Sequence, residues 1–215
     1  MAGLKLYGVN QSTNVMRALV CLYEKGLDFE FVSVDMYSGE HKKDPFISFN
    51  PFGQVPVLED GDIQIFESRA ITEHLCRAYT EKGPTLLPSD KKALASVLTW
   101  KEVEAGQFNV PASKLAFELF YKSFLFGGTA DEAVMAEHEE RLAKVLDVYE
   151  VRLSKNNYLG GDEYSLADLN HLPCLHFLVG TPVKKIFDSR PHVSKWCTDA
   201  LARPAWAKVV AMIVV

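Results

Sequence analysis

The sequence predicts a small α/β domain followed by an all-helical domain, and three observations support this fold class. Strand and helix patterns alternate along residues 1–82, residues 83–89 contain two prolines and a glycine, and helical periodicity continues along residues 90–215. Proline and glycine between two such patterns are typical of a linker. We therefore expect a domain at 1–82, a linker at 83–89 and a second domain at 90–215.

The elements of the first domain follow from local patterns. Leu4–Gly8 is a short apolar run, and Phe29–Val34 alternates with the period of a strand. The residues between them have helical spacing, so the two strands should be parallel through a right-handed crossover. Asp60-Gly61-Asp62 then predicts a hairpin, because Asp-Gly between apolar runs favours a tight turn. The remaining predicted elements are strands at Val55–Glu59 and Ile63–Phe66 and a helix at Ser68–Tyr79.

The second domain contains several helix-start signals. Thr129 and Glu132 fit a capping box that opens a long helix, and Pro191 and Pro204 suit the first turns of two terminal helices.

Ser165 and Asp168 form a second predicted capping box. Ser165 can accept hydrogen bonds from first-turn amides, while the Asp168 carboxylate reaches back to the Ser165 amide. A functional role for Asp168 is the alternative, but we favour a structural cap.

The composition excludes several classes of protein. Across 215 residues, 23 basic and 28 acidic side chains give a net charge of −5, which argues against nucleic-acid binding. The four cysteines form no C-x-x-C pair, so neither a zinc site, a redox dithiol nor a disulfide framework is expected. No apolar run approaches the ~18 residues of a membrane span, and the start lacks a secretion signal. We expect a cytoplasmic protein without a metal.

Two features of the first domain point to a ligand. Ser12 follows a strand and begins a helix, where its hydroxyl can cap the helix or face a ligand over the amide-rich end. Pro56 interrupts a strand-like run and requires an edge, a bulge or a cis bond. An open edge would leave the Val55 N–H and C=O free to pair with a peptide ligand.

Charged and hydroxyl groups complete this set. Glu67 and Ser68 stand where the fourth strand passes into a helix, and a helix N-terminus suits a carboxylate. His41 and Lys42 supply local positive charge, although a solvated loop is the alternative. Together these features predict an acidic, peptide-like ligand at one end of the sheet.

The sequence resembles plant glutathione transferases of the phi class along essentially its whole length. The motifs that carry the resemblance are Ser12-Thr13, Glu40–Lys43, Asn50–Pro56, Phe66–Ile71, Phe187–Pro191 and Ala202–Trp206. The resemblance implies the glutathione transferase fold, which has a thioredoxin-like N-terminal domain and an all-helical C-terminal domain. It also implies a homodimer, no prosthetic group, and glutathione as cosubstrate.

The resemblance further implies roles for individual residues. Ser12 would donate a hydrogen bond to the glutathione sulfur and favour the thiolate. The other implied glutathione contacts are His41 and Lys42 for the glycyl carboxylate, Gln54 and Val55 before a cis Pro56 for the cysteinyl backbone, and Glu67 and Ser68 for the γ-glutamyl end.

The expected activity is conjugation of glutathione to hydrophobic electrophiles, with hydroperoxide reduction as a further activity and roles in xenobiotic detoxification and stress response. The alternative is a non-catalytic carrier of flavonoids or other hydrophobic ligands. The electrophile site is expected between the domains, with Met36, Phe117, Tyr121 and Phe124 as candidates, although such aromatic residues are often core. Phe52, on a loop, is a candidate dimer anchor or a packed residue of the monomer.

Overall fold

The computed structural model describes residues 3–213, except for the side chain of Phe124. The chain divides into two compact units. One contains the residues up to Leu87 together with those from Pro204 onward, and the other runs from Pro88 to Arg203. Among residues 3–213, no helix is both long and apolar enough to span a membrane.

The first unit contains a four-stranded sheet with helices. Its elements are β1 (Leu4–Gly8), α1 (Thr13–Glu24), β2 (Phe29–Ser33), a 3₁₀ turn (Glu40–Lys42), α2 (Phe46–Phe49), β3 (Val57–Asp60), β4 (Ile63–Phe66), α3 (Ser68–Ala78) and α12 (Pro204–Ile213). The strand order is β2-β1-β3-β4. β1 and β2 are parallel, as expected for a β-α-β crossover, while β3 is antiparallel to both β1 and β4. The α/β fold predicted for this part of the chain is confirmed.

The predicted hairpin is present. Asp60 pairs with Ile63 across a two-residue turn, and Gly61 there has a φ of 64°. The two central turn residues are Gly61 and Asp62, and glycine readily adopts the left-handed backbone needed at the first of them.

The last helix, α12, belongs to the first unit, which corrects the expectation that residues 90–215 form one domain. It packs against α1 and buries Trp206 and Val209. The Tyr23 hydroxyl of α1 donates to the Met212 sulfur at 3.1 Å, and the Lys208 ammonium lies 5.5 Å from the Tyr23 ring centroid. Helical periodicity marks which face of α12 is apolar, but it does not identify the unit that covers this face.

The second unit is helical, as predicted. Its elements are α4 (Lys91–Val103), a π-helical turn (Glu104–Phe108), α5 (Asn109–Ala116), a second π-helical turn (Phe117–Tyr121), α6 (Lys122–Phe126), α7 (Glu132–Leu153), α8 (Leu166–Leu169), α9 (Leu172–Val179), α10 (Lys184–Asp188) and α11 (Pro191–Leu201). Aromatic rings form much of its core, where Tyr149 contacts Phe108, His171 and Trp196.

The cap of α7 differs from the prediction. Asp131, not Thr129, is the N-cap residue, and its carboxylate accepts from the Ala133 and Val134 amides at 3.0 and 3.2 Å. The Asp131 N–H is itself held by the Glu118 carboxylate at 2.8 Å. This tertiary contact fixes the helix start two residues later than the local pattern suggests.

Asp168 lies at the centre of a buried hydrogen-bond network. Its carboxylate accepts from the Ser165 N–H and hydroxyl, each at 3.0 Å, and Ser165 in turn caps α8. It also accepts from the Leu159 amide and the Trp196 indole N–H, each at 2.9 Å. Burial raises the pKa of Asp168 to about 6, although all four hydrogen bonds favour the charged form. The carboxylate therefore joins α8, α11 and the loop before them.

Candidate functional site

The register of the sheet brings four segments to one end. Tyr7 pairs with Val32 on one side and with Val57 on the other, and Val57 pairs with Phe66. The last residues of β1, β2 and β4 and the first residue of β3 therefore lie side by side at one end of the sheet. The segments that carry the predicted site residues of the first domain all leave the sheet at this end: Ser12, Met36 with His41 and Lys42, Gln54–Pro56, and Glu67–Ser68.

Ser12 stands at the N-cap position of α1, and its hydroxyl has no hydrogen-bond partner among residues 3–213. Its backbone is extended, with φ −75° and ψ 125°, and its C=O accepts from the Met16 N–H at 2.9 Å. The side chain makes no capping hydrogen bond, so the capping interpretation of this hydroxyl is wrong. The first turn also contains no acidic residue to offset the positive end of the helix dipole. A half-buried hydroxyl beside unpaired amides can stabilise an anion.

The segment before β3 is shaped by Asn50, which is almost fully buried. Its side-chain amide donates to the Gln54 C=O at 2.8 Å, and its carbonyl oxygen accepts from the Phe52 N–H at 3.0 Å. The Val55–Pro56 peptide is cis, one of the three arrangements expected for this proline.

The open-edge alternative for this segment is wrong, since β3 lies inside the sheet between β1 and β4. Pro56 instead precedes the ladder, which begins at Val57. Within residues 3–213, the Val55 N–H and C=O have no hydrogen-bond partner, so they are available to a ligand backbone.

His41 and Lys42 lie against this loop because Gly53 permits a close approach. Gly53 has a φ of 56°, and a Cβ there would stand 2.5 Å from the His41 carbonyl oxygen. Lys42 Nζ donates to the Phe52 C=O at 2.8 Å. Burial and the neighbouring Lys42 charge lower the pKa of His41, so its imidazole is neutral near pH 7. Its buried Nδ1 has no partner among the described residues.

Glu67 and Ser68 form the turn between β4 and α3. Glu67 is exposed and has a φ of 68°, a conformation that costs a non-glycine residue of order 1–3 kcal/mol. Ser68 is buried at the start of α3. This strained turn places the Glu67 carboxylate and the Ser68 hydroxyl beside a helix N-terminus.

Arg17 is a residue that the sequence reasoning missed. It is fully buried on α1 and donates to the Ser68 hydroxyl oxygen at 2.9 Å and to the Asn14 side-chain oxygen at 2.8 Å. Because the Ser68 oxygen accepts from a cation, its own proton is directed elsewhere. The available signal was an arginine within the otherwise apolar run Val15–Leu22.

The hydrophobic candidates lie in different units and are described separately. Met36 packs against the buried cluster of Val34, Phe46 and Val57 in the first unit, as Val55 also does. In the second unit, Phe117 and Tyr121 are the end residues of a π-helical turn, with ring centroids 6.2 Å from Phe126 and 5.6 Å from Phe177, respectively. The side chain of Phe124 lies outside the described part of the structure.

Phe52 is 64% exposed although its ring centroid lies 6.1 Å from that of Phe66, so packing within the monomer covers only part of it.

The second unit contains a cavity of about 460 Å³, lined by residues of α4, the π-helical turn after it, α5 and α7. Its walls are mostly apolar and include Trp100, Val145 and Val148.

The first-unit site can hold an extended anionic peptide. It offers unpaired backbone groups at Val55, a hydroxyl at each of two helix N-termini, and Lys42 nearby. No cluster of three metal-binding side chains occurs in residues 3–213.

Comparison with known families identifies both parts of the chain. The model "Glutathione S-transferase, N-terminal domain" matches residues 2–77, and "Glutathione S-transferase, C-terminal domain" matches residues 108–204. A glutathione S-transferase of Hyoscyamus muticus is 55% identical over 208 residues, covering 97% of this chain and 98% of the relative.

Solved structures show the same similarity. Glutathione transferase F7 from Populus trichocarpa superposes with a TM-score of 0.95 at 45% identity, covering 99% of this chain and all of the other. Maize glutathione S-transferase I, crystallised with an atrazine glutathione conjugate, gives 0.92 at 42% identity, with 99% and 98% covered. None of these matches favours the non-catalytic carrier alternative.

Proposed function

Since this chain belongs to the glutathione S-transferase family, in its plant phi class, and is a glutathione transferase, we propose that Ser12 is its catalytic residue. The fold is the glutathione transferase fold, with a thioredoxin-like N-terminal domain. The observation that carries the proposal is the uncommitted Ser12 hydroxyl at the start of α1. This hydroxyl would donate to the sulfur of bound glutathione and favour its thiolate.

The energetics require no metal and no general base. A free thiol with a pKa of ~8.5 is about 3% ionised at neutral pH, and lowering that pKa by ~2 units takes roughly 2.7 kcal/mol. A charge-assisted hydrogen bond supplies ~1.5–3 kcal/mol, and the helix N-terminus adds ~0.3–1 kcal/mol. Ser12 and the α1 amides together are sufficient.

The rest of glutathione would lie along the same end of the sheet. We propose that Val55 pairs with the cysteinyl backbone beside Pro56 and Gln54, because its N–H and C=O lack partners in the described structure. Glu67 and Ser68 would bind the γ-glutamyl end at the α3 N-terminus. His41 and Lys42 would face the glycyl carboxylate, as the loop contact at Gly53 supports.

Replacing Arg17 by methionine should raise the KM for glutathione about tenfold and leave kcat nearly unchanged. The methionine cannot donate to the Ser68 oxygen, so the Ser68 hydroxyl loses its fixed direction toward the γ-glutamyl carboxylate. Steady-state kinetics with varied glutathione tests this. Arg77→Met is the control, because Arg77 lies on α3 but pairs with Glu73 on the exposed face. Equal KM values in the two variants would contradict the role of Arg17.

We propose that Met36, Phe117, Tyr121 and Phe124 contribute to binding of the hydrophobic electrophile. The packing of Met36 on the same apolar cluster as Val55 supports its part. Parallel assays with a chloronitrobenzene and with cumene hydroperoxide, each with and without glutathione, test both conjugation and peroxide reduction. Absence of glutathione-dependent turnover in both assays would overturn the proposed chemistry.

We also propose a homodimer in which Phe52 of one copy fills the apolar cavity of the second unit of its partner. An exposed phenyl ring and an apolar cavity of about 460 Å³ on the same chain are complementary between two copies.

We further propose that the protein is cytoplasmic and acts in detoxification and stress response.

Phe52→Ala should convert the dimer to a monomer of 24.1 kDa in light scattering after size exclusion. Val148→Arg, which places a charge at the cavity mouth, should act in the same way. Tyr37→Ala is the matched control, because Tyr37 is an 82% exposed aromatic residue of the same unit without this role. A dimer that survives both Phe52→Ala and Val148→Arg would refute this interface.

A further inference from the structure

Cys21 and Cys76 form a buried pair of thiols in the first unit. Cys21 lies on α1 and Cys76 on α3, and their sulfur atoms are 3.9 Å apart. The Cys21 sulfur also lies 3.7 Å from the Thr72 carbonyl oxygen. Ser12 carries the proposed transfer chemistry, so this pair has no part in it.

The packing of the two helices keeps the sulfurs in contact. α1 and α3 lie side by side and run in the same direction, since Arg17 meets Ser68 near the helix starts and Cys21 meets Cys76 further along. A disulfide has an S–S length of about 2.05 Å, so the sulfurs must approach by about 1.9 Å. The bond would form through rotation of the two side chains with a small shift between the helices.

We propose that Cys21 and Cys76 are a disulfide-forming pair that an organic hydroperoxide oxidises. Cys76 retains 4% exposure against 0% for Cys21, so it meets the oxidant first. Its thiolate attacks the terminal peroxide oxygen, the O–O bond breaks, and the alcohol leaves with a proton, so that Cys76 becomes a sulfenic acid. The Cys21 sulfur then attacks the Cys76 sulfur, the S–O bond breaks, and water leaves. Two thiols and one hydroperoxide thus give one disulfide, one alcohol and one water.

The crosslink would stabilise the first unit. It joins positions 55 residues apart and ties α1 to α3, which restricts the unfolded chain. The hydrogen bond with the neighbouring Cys76 and burial raise the pKa of Cys21, so the Cys21 thiol is a poor nucleophile and we expect the disulfide to close slowly.

The test uses the full chain, fully reduced and treated with cumene hydroperoxide without glutathione. Free thiols are alkylated under denaturing conditions, and the digest is analysed by mass spectrometry without reduction. We expect a crosslinked peptide pair containing Cys21 and Cys76, lighter by two hydrogens than the separate peptides. The urea midpoint should rise on oxidation and return after dithiothreitol.

Two variants complete the experiment, each compared with its own reduced form so that any basal loss of stability cancels. Cys76→Ala should show no rise in midpoint. Cys197→Ala should keep the rise, because Cys197 is a free, buried thiol of the second unit and is not a member of the pair. Recovery of Cys21 and Cys76 as alkylated thiols or as sulfinic acids, or a rise that persists in Cys76→Ala, would overturn the proposal.

Discussion

Ser12→Ala is expected to bind glutathione nearly as well as the unaltered protein but to lose more than about nine-tenths of its turnover at pH 7. Without the hydroxyl, the pKa of the bound thiol returns from ~6.5 toward ~8.5, and the thiolate fraction at pH 7 falls by at most about 25-fold. The stronger intrinsic nucleophilicity of a less acidic thiol offsets part of this loss. The difference in turnover between Ser12→Ala and the unaltered protein should shrink as the pH rises through ~8.5, because glutathione bound to either protein is then mostly ionised.

Two measurements check this expectation. The ultraviolet absorbance of the bound thiolate, titrated against pH, gives the pKa of glutathione on each protein, and calorimetry gives its affinity. Ser12→Thr serves as the conservative control, since it keeps a hydroxyl at the start of α1 and should retain much of the shift. Identical titration curves for Ser12→Ala and the unaltered protein would contradict the catalytic role of Ser12.

Asp168→Asn is expected to lower the free energy of unfolding by about 3 kcal/mol or more, the largest stability effect predicted for this chain. The side chain is completely buried and nearly the same size as asparagine, so the loss is not a cavity effect. The carboxylate accepts four hydrogen bonds. In asparagine, an NH₂ group replaces one of the two oxygens. Its hydrogens would face either the Leu159 and Trp196 N–H groups or the Ser165 N–H and hydroxyl, which would lose their acceptor.

Urea denaturation with a matched cap provides the check. Asp90 caps α4 through the Lys92 and Ala93 amides at 3.0 and 2.9 Å, but it is exposed, so Asp90→Asn should cost less than about 1 kcal/mol. If Asp168→Asn costs no more than Asp90→Asn, the buried network does not hold the second unit together as described.

Local signals predicted much of the fold. The sequence Asp60-Gly61-Asp62 marked the hairpin, Pro191 and Pro204 marked helix starts, and the apolar spacing before Gly26 indicated α1. Each of these signals acts within about four residues, the range of a turn or a helical hydrogen bond. Such features can be recognised without knowing what the segment packs against.

Parts of the candidate site could not be predicted from local sequence signals. The motifs around Ser12 and Pro56 directed attention to the correct end of the sheet, but Arg17 was missed and an open edge was wrongly considered at β3. Strand order depends on pairing between distant segments. The contact between Arg17 and Ser68 joins residues 51 positions apart, which no periodicity can reveal.

The sequence by itself determined the α/β and helical character of the two parts, the helix and hairpin signals, and the residue types of the site. Tertiary structure alone decided that α12 joins the first unit, that Asp131 replaces Thr129 as a cap, and that the Ser12 hydroxyl stays uncommitted. The physical reason is range. Backbone propensities and caps act between near neighbours, whereas packing partners, strand order and the satisfaction of buried polar groups depend on residues brought together only by folding.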